Sequence, residues 1–176
     1  MSKYRAFFCE ENIWHLARSR DVGSSYVLFF FNACESVALW HQKVFELNSI
    51  GIWDYHVVLL DAARGEIYDY DTRLDSPLAA HSYLSATFGR QQQLPIEFRT
   101  TVRVVPAQEF LLRFNSDRSH MLDENGIALV PFPDWPAIVS SQPITLSQYT
   151  SVDSIPDSDS FLVAVDAFDP DLLKGL

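Results

Sequence analysis

A chain of 176 residues with 48% apolar content, 13 Phe, 7 Tyr and 4 Trp is sized for one domain that buries about 70% of its unfolded surface, and its composition excludes disorder. A formal net charge of −10 disfavours nucleic acid or an anionic membrane as a partner. No apolar run approaches the roughly 18 residues of a membrane span, and no apolar leader follows the basic start, so neither a membrane segment nor a signal peptide is expected.

Residues 9–19 read as the first helix, with Glu10 and Glu11 in its first turn, Arg18 in its last, and Ile13, Trp14, Leu16 and Ala17 as a buried stripe. Asp21 to Ser25 breaks it. Tyr26 to Phe31 is an apolar strand, Asn32 to Ser36 a turn, and Val37 to Gln42 a return strand. Ile52 to Leu60 and Ile67 to Asp71 form two strand-like runs joined by a Gly-containing loop, which reads as a hairpin. After a turn at Asp75-Ser76-Pro77, Leu78 to Phe88 is a helix that Gly89 stops. Thr101 to Val105 is a strand ended by Pro106, and Gln108 to Phe114 a short amphipathic helix. Four prolines between 131 and 143 impose an irregular path, with Phe132 and Trp135 pinning it to the surface. Ile144 to Ser151 reads as a short helix, Phe161 to Val165 as a last strand, and Pro170 to Leu176 as an end that frays. No linker divides the chain. The fold class expected is α+β, a central, mainly antiparallel sheet flanked by helices.

The hairpin carries the first chemical signal. If Asp61 pairs with Glu66, His56 falls opposite Asp71, and Asp69 shares that face on the diagonal. A histidine beside a carboxylate on a neighbouring strand is half of a nucleophilic site. Cys9 is the better placed of the two thiols to complete it, because it opens the first helix, where unpaired N–H groups favour a thiolate. Taken alone, Cys9 is better read as a small core residue, and Cys34 sits in a turn with no acid–base partner nearby in sequence. The five histidines have no zinc-like spacing, and with two cysteines 25 positions apart no metal or other cofactor is expected.

Four blocks occur in order: Cys9-Glu10-Glu11-Asn12-Ile13-Trp14, Trp53-Asp54-Tyr55-His56-Val57-Val58-Leu59-Leu60, Ile67-Tyr68-Asp69-Tyr70-Asp71-Thr72 and Phe114-Asn115-Ser116-Asp117-Arg118-Ser119-His120-Met121. Together they resemble the protein N-terminal glutamine amidohydrolases, and the resemblance runs on through the proline-rich stretch and the last strand. It implies a papain/transglutaminase-like sandwich and hydrolysis of the side-chain amide of an N-terminal glutamine to glutamate, with release of ammonia. The substrates it implies are proteins or peptides that begin with glutamine, and the product feeds N-terminal degradation signalling. The family's catalytic cysteine, histidine and aspartate fall on Cys9, His56 and Asp69, which chooses Asp69 over Asp71; a small bulge would bring Asp69 beside His56. In the implied mechanism the thiolate attacks the glutamine Cδ, the Cys9 main-chain N–H supports the oxyanion, and a thioester is hydrolysed with His56 as acid and then base. Glu10, Trp53, Asp54 and Asp117 are the candidates for substrate binding, the carboxylates for the α-ammonium and Trp53 as a wall. Arg118 and His120 read as residues that tie their loop down. Asn32 to Ser49 matches the family poorly. A transglutaminase-like acyl transferase, a cysteine protease and a non-catalytic module that binds N-termini are the alternatives. The expected protein is a monomer in the cytoplasm, with the nucleus as a second compartment.

Overall fold

The computed structural model describes residues 4–175; Met1, Ser2 and Lys3 of the basic start, and Leu176, lie outside them. The chain is an α+β sandwich. A six-stranded antiparallel sheet is built from β1 (Ser25–Phe31), β4 (Tyr55–Asp61), β5 (Glu66–Tyr68), β6 (Leu78–Ala79), β7 (Thr101–Pro106) and β8 (Phe161–Ala164), in the order β6-β5-β4-β1-β7-β8. A separate ribbon pairs β2 (Val37–Trp40) with β3 (Ile50–Trp53). The strand after the Asn32 turn therefore does not return along β1, as its sequence suggests, but joins β3.

The two central strands are buried on both faces, which is why β1 and β4 read as unbroken apolar runs instead of alternating ones. Alternation still sorts their side chains. Val27, Phe29, Val57 and Leu59 pack with Ile13 and Ala17 of α1 (Cys9–Arg18) and Phe110 of α3 (Ala107–Arg113). Leu28, Phe30, Val58 and Leu60 pack on the other side with Tyr83, Leu84 and Phe88 of α2 (Ala80–Phe88). Trp14 and Leu16 of the predicted helical stripe are only half-buried, packed at the edge of the first cluster.

Gly89 does end α2, yet with a right-handed φ of −61°. The residue is constrained by space, since a Cβ there would collide with the Ser85 carbonyl oxygen. A short helix α4 (Leu146–Tyr149) carries a capping box between Thr145 and Gln148 and stacks Tyr149 flat on Phe29, with centroids 4.6 Å apart. The end of the chain is not frayed over its last turn: Pro170–Leu173 is a 3-10 helix with Pro170 and Leu173 buried.

The predicted run Ile52–Leu60 is split. Asp54 breaks it, leaving Ile52 and Trp53 to the ribbon and Tyr55 onward to the main sheet. This break opens the cleft described next.

Candidate active site

The N-terminus of α1 is fixed by its own first turn. Asn12 accepts from the Arg5 N–H at 2.8 Å and donates back to the Arg5 carbonyl at 2.7 Å, closing the loop that enters the helix. Within that loop Phe7 takes φ 71°, a left-handed conformation that is costly for a bulky side chain and found mostly where surrounding structure enforces it. Cys9 follows at the first helical position, 4% exposed.

The hairpin register is the predicted one: Asp61 pairs with Glu66, Leu60 with Ile67 and Leu59 with Tyr68. The ladder then stops. Asp69 leaves it through a turn in which its Oδ1 accepts from the Asp71 N–H at 2.8 Å, while its own N–H donates to Ser76 Oγ at 3.1 Å. No bulge is involved, and Asp71 is not carried to the place opposite His56. Asp69 Oδ2 instead lies 3.1 Å from His56 Nε2, and it also accepts from Tyr83 Oη at 2.8 Å and Gln42 Nε2 at 3.4 Å. Asp71 turns to accept from Tyr4 Oη at 2.7 Å.

Because β5 departs after Tyr68, β4 has no ladder partner on that side from His56 to Val58. Val57, in that unpaired stretch, packs in the same buried cluster as Cys9, and its backbone N–H favours the thiolate. His56 is completely buried; its Nε2 lies at ion-pair distance from Asp69, 3.1 Å away, and neither ring nitrogen meets a partner in hydrogen-bond geometry among the described residues. Trp53 covers the imidazole at a tilt, with ring centroids 5.7 Å apart.

The electrostatics follow from this crowd of buried acids. Burial works against the imidazolium, but the carboxylates of Asp69, Asp71 and Glu10 more than offset it and hold the His56 pKa above its ordinary value. Burial likewise pushes Asp69 up, and His56 with the donors around it brings Asp69 below the usual carboxylate range. Asp71 is raised, chiefly by burial. Burial, then Glu10 and Asp71, push the Cys9 thiol well up, against the pull of the Val57 N–H.

A cleft of about 220 Å³ opens over the sulfur, walled by Phe7, Phe45, Ile52, Trp53, Tyr55 and Met121, with Asp54 and His120 among its polar groups. A second cleft of about 300 Å³ adjoins it; Asp54, Tyr55 and His120 line both. Of the predicted binding residues, Trp53 and Asp54 border the cysteine cleft. Asp117 lines only the second cleft, exposed, with its Oδ1 accepting from the Ser119 N–H at 2.9 Å. Glu10 lies behind the sulfur, 3% exposed, and lines neither cleft. A larger cavity of about 470 Å³, beside α2 and Gln91–Gln93, contains none of these residues.

The fourth sequence block has a structural explanation through Arg118. Its guanidinium grips buried Glu11 of α1 at 2.8 and 2.7 Å, and Trp135 Nε1 donates to the same carboxylate at 2.6 Å. Arg118 thus ties the loop to α1, the helix that Cys9 opens, and pairs with Glu11 instead of Asp117. His120 does not share that role; it stands on the rim, 6.3 Å from the Tyr55 ring centroid. Phe132 closes edge-on over Phe8, so the proline-rich stretch is pinned by Phe132 and Trp135 as its sequence suggests. Replacing Arg118 with methionine is expected to cost about 3 kcal/mol, since a buried carboxylate is left without its cation. Urea denaturation checks this, and an unchanged midpoint would show that the pair contributes nothing.

Sequence reasoning missed Gln42, Tyr83 and Tyr4, which hold the two aspartates, and Phe7, Phe45 and Met121, which wall the cleft. Met121 alone stands inside one of the four blocks; the others hold no patterned position relative to the motif they serve.

Comparison with known proteins identifies the family of the chain. The model of the N-terminal glutamine amidase family matches residues 4–164. Relatives named protein N-terminal glutamine amidohydrolase include one from Caenorhabditis elegans, 32% identical over 151 residues that cover 82% of each chain. Another, from Homo sapiens, is 34% identical over 160 residues, covering 85% of this chain and 78% of the relative. One from Drosophila pseudoobscura is 35% identical over 148 residues, or 78% and 72% of the two chains. With the family model spanning all four motifs and such relatives covered over most of their length, the chain belongs to the N-terminal glutamine amidase family.

Proposed function

We propose that this protein hydrolyses the side-chain amide of an N-terminal glutamine to glutamate and ammonia, with Cys9 as nucleophile, His56 as acid and base, and Asp69 as the group that orients and charges the imidazole. The observation that carries this reading is the buried His56–Asp69 pair at 3.1 Å, covered by Trp53, which lines one small aromatic cleft together with Cys9.

The chemistry follows from the residue types. The Cys9 sulfur attacks the glutamine Cδ as its proton passes to imidazole nitrogen, and the Cys9 N–H at the start of α1 is the proposed donor to the oxyanion. The C–N bond breaks as His56 protonates the departing amine, leaving a γ-glutamyl thioester and neutral imidazole. His56 then takes a proton from water, the hydroxide adds to the thioester, and the thiol is released with glutamate. A cation-favouring imidazole suits the first half, in which ammonia must leave protonated. The cleft is short and walled by rings, which suits one side chain better than the extended groove a protease requires.

Terminal specificity requires a partner for the α-ammonium, because a desolvated ammonium is costly when unpaired. Asp54 is the proposed partner. It is exposed at the rim common to both clefts, so an ammonium there leaves the side chain pointing to Cys9 and the rest of the peptide free to follow the second cleft. Asp54→Asn should raise KM for Gln-initiated peptides about tenfold, equivalent to ~1.4 kcal/mol of lost binding, with little change in kcat. The test of the function itself is ammonia release from a peptide beginning with Gln against its N-acetylated form. Turnover of the free terminus alone is expected, and equal rates would rule out terminal recognition.

A further inference from the structure

The two carboxylates that open α1 divide sharply in what they touch. Glu11 is consumed by Arg118 and Trp135. Glu10 has no cation within salt-bridge distance among the described residues; its Oε2 instead receives two neutral donors, the Cys9 S–H at 3.5 Å and the Tyr55 O–H at 2.9 Å. Both its neighbours border the catalytic cleft, whereas Glu10 itself does not. Such a carboxylate acts on substrate only through those neighbours.

We propose that Glu10 is a positioning residue that holds Cys9 as a hydrogen-bonded thiol in the empty enzyme, with Tyr55 moderating the strength of that hold. The proposal takes Cys9 as nucleophile from the function argued above. Ionising the sulfur while Glu10 is charged removes the S–H bond and sets two buried anions 3.5 Å apart. Like charges at that separation disfavour one another strongly away from water. The thiol is the weakly nucleophilic and weakly oxidisable form of cysteine. Glu10 therefore keeps the nucleophile quiet until substrate and His56 draw the proton away.

The other groups around the sulfur do not remove this effect. From the turn after β5, Asp71 also disfavours the thiolate, and Asp69 is paired with His56. From β4, the Val57 N–H favours the thiolate, and His56 is drawn toward its cationic form by the same acids, Glu10 among them. From α1, Glu11 adds negative charge next to Glu10, while Arg118 of the facing loop is bound to Glu11. Glu10 itself is raised to about 7, by burial first, with its own backbone N–H and the Tyr55 hydroxyl acting in the opposite sense. The Tyr55 hydroxyl thus takes up part of the carboxylate's charge. Without it, Glu10 would rest more heavily on the thiol proton.

The test is the pH dependence of Cys9 alkylation by iodoacetamide, followed by intact mass in a Cys34→Ser background so that Cys9 is the sole thiol. Glu10→Gln should move the midpoint down by about one pH unit and raise the rate below it about tenfold. Tyr55→Phe keeps the carboxylate and should move the midpoint up. Opposite shifts are the expected result; thermal melts show which variants are folded, and Tyr55→Phe decides the matter if Glu10→Gln is not. A midpoint in folded Glu10→Gln that is unchanged or higher overturns the proposal, as does a Tyr55→Phe midpoint that stays or falls. No glutamine substrate enters the assay, so a failure of the deamidation reading would leave this result intact and recognisable.

Discussion

Cys9→Ala is expected to lower ammonia release from a Gln-initiated peptide by roughly 10⁴-fold or more, because a nucleophile and its base act as a unit and little catalysis survives the loss of either. The fold should persist. Cys9 is a small buried residue at the edge of the first core cluster, and alanine removes its S–H bond to Glu10 and leaves a minor void at the helix start. A melting temperature close to wild type, together with retained peptide binding, would assign the loss to chemistry. Activity within tenfold of wild type would remove the covalent route entirely, and with it the roles proposed for His56 and Asp69.

The second large effect separates two aspartates. Asp69→Asn should reduce kcat by roughly 10³- to 10⁴-fold, the scale seen when the acid behind a catalytic histidine is neutralised and the wrong tautomer results. Asp69 Oδ2 is the oxygen that faces His56 Nε2, and Tyr83 and Gln42 donors hold it there. With the charge removed, His56 loses its main support for the imidazolium, so its titration by NMR should move downward. Asp71→Asn should cost much less, because Asp71 hydrogen-bonds Tyr4 and reaches His56 only through space. A larger loss from Asp71→Asn than from Asp69→Asn would move the acid role to Asp71.

These two residues also mark how far the sequence could be read. The pairing of Asp61 with Glu66 was legible from the turn, and with it the place of His56 on β4. The choice between Asp69 and Asp71 was not legible from register, because counting along a hairpin assumes that the ladder continues. It stops at Tyr68, where the Asp69 side chain captures the Asp71 N–H and Ser76 takes the Asp69 N–H, competition that favours a turn over the strand. Only the resemblance pointed to Asp69.

Other features divide in the same way. The α1 start at Cys9 was legible because acidic first-turn residues and an apolar stripe coincide there, yet those acids are not solvated partners of the helix dipole. Glu10, Glu11 and Asn12 are buried, and each is bound to a named group. The split of Ile52–Leu60 at Asp54 was not legible because both halves lie in strands and one polar residue also fits the alternation of a single strand. The cleft walls come from side chains far apart in the chain, such as Phe7, Phe45 and Met121, whose convergence is tertiary and has no period to detect.

The most direct measurement uses one peptide with glutamine both at its N-terminus and at an internal position. Ammonia is quantified and the product sequenced by tandem mass spectrometry. One equivalent of ammonia, with glutamate at the first position and glutamine retained inside, is the predicted result. No ammonia, or glutamate at the internal position, would contradict it.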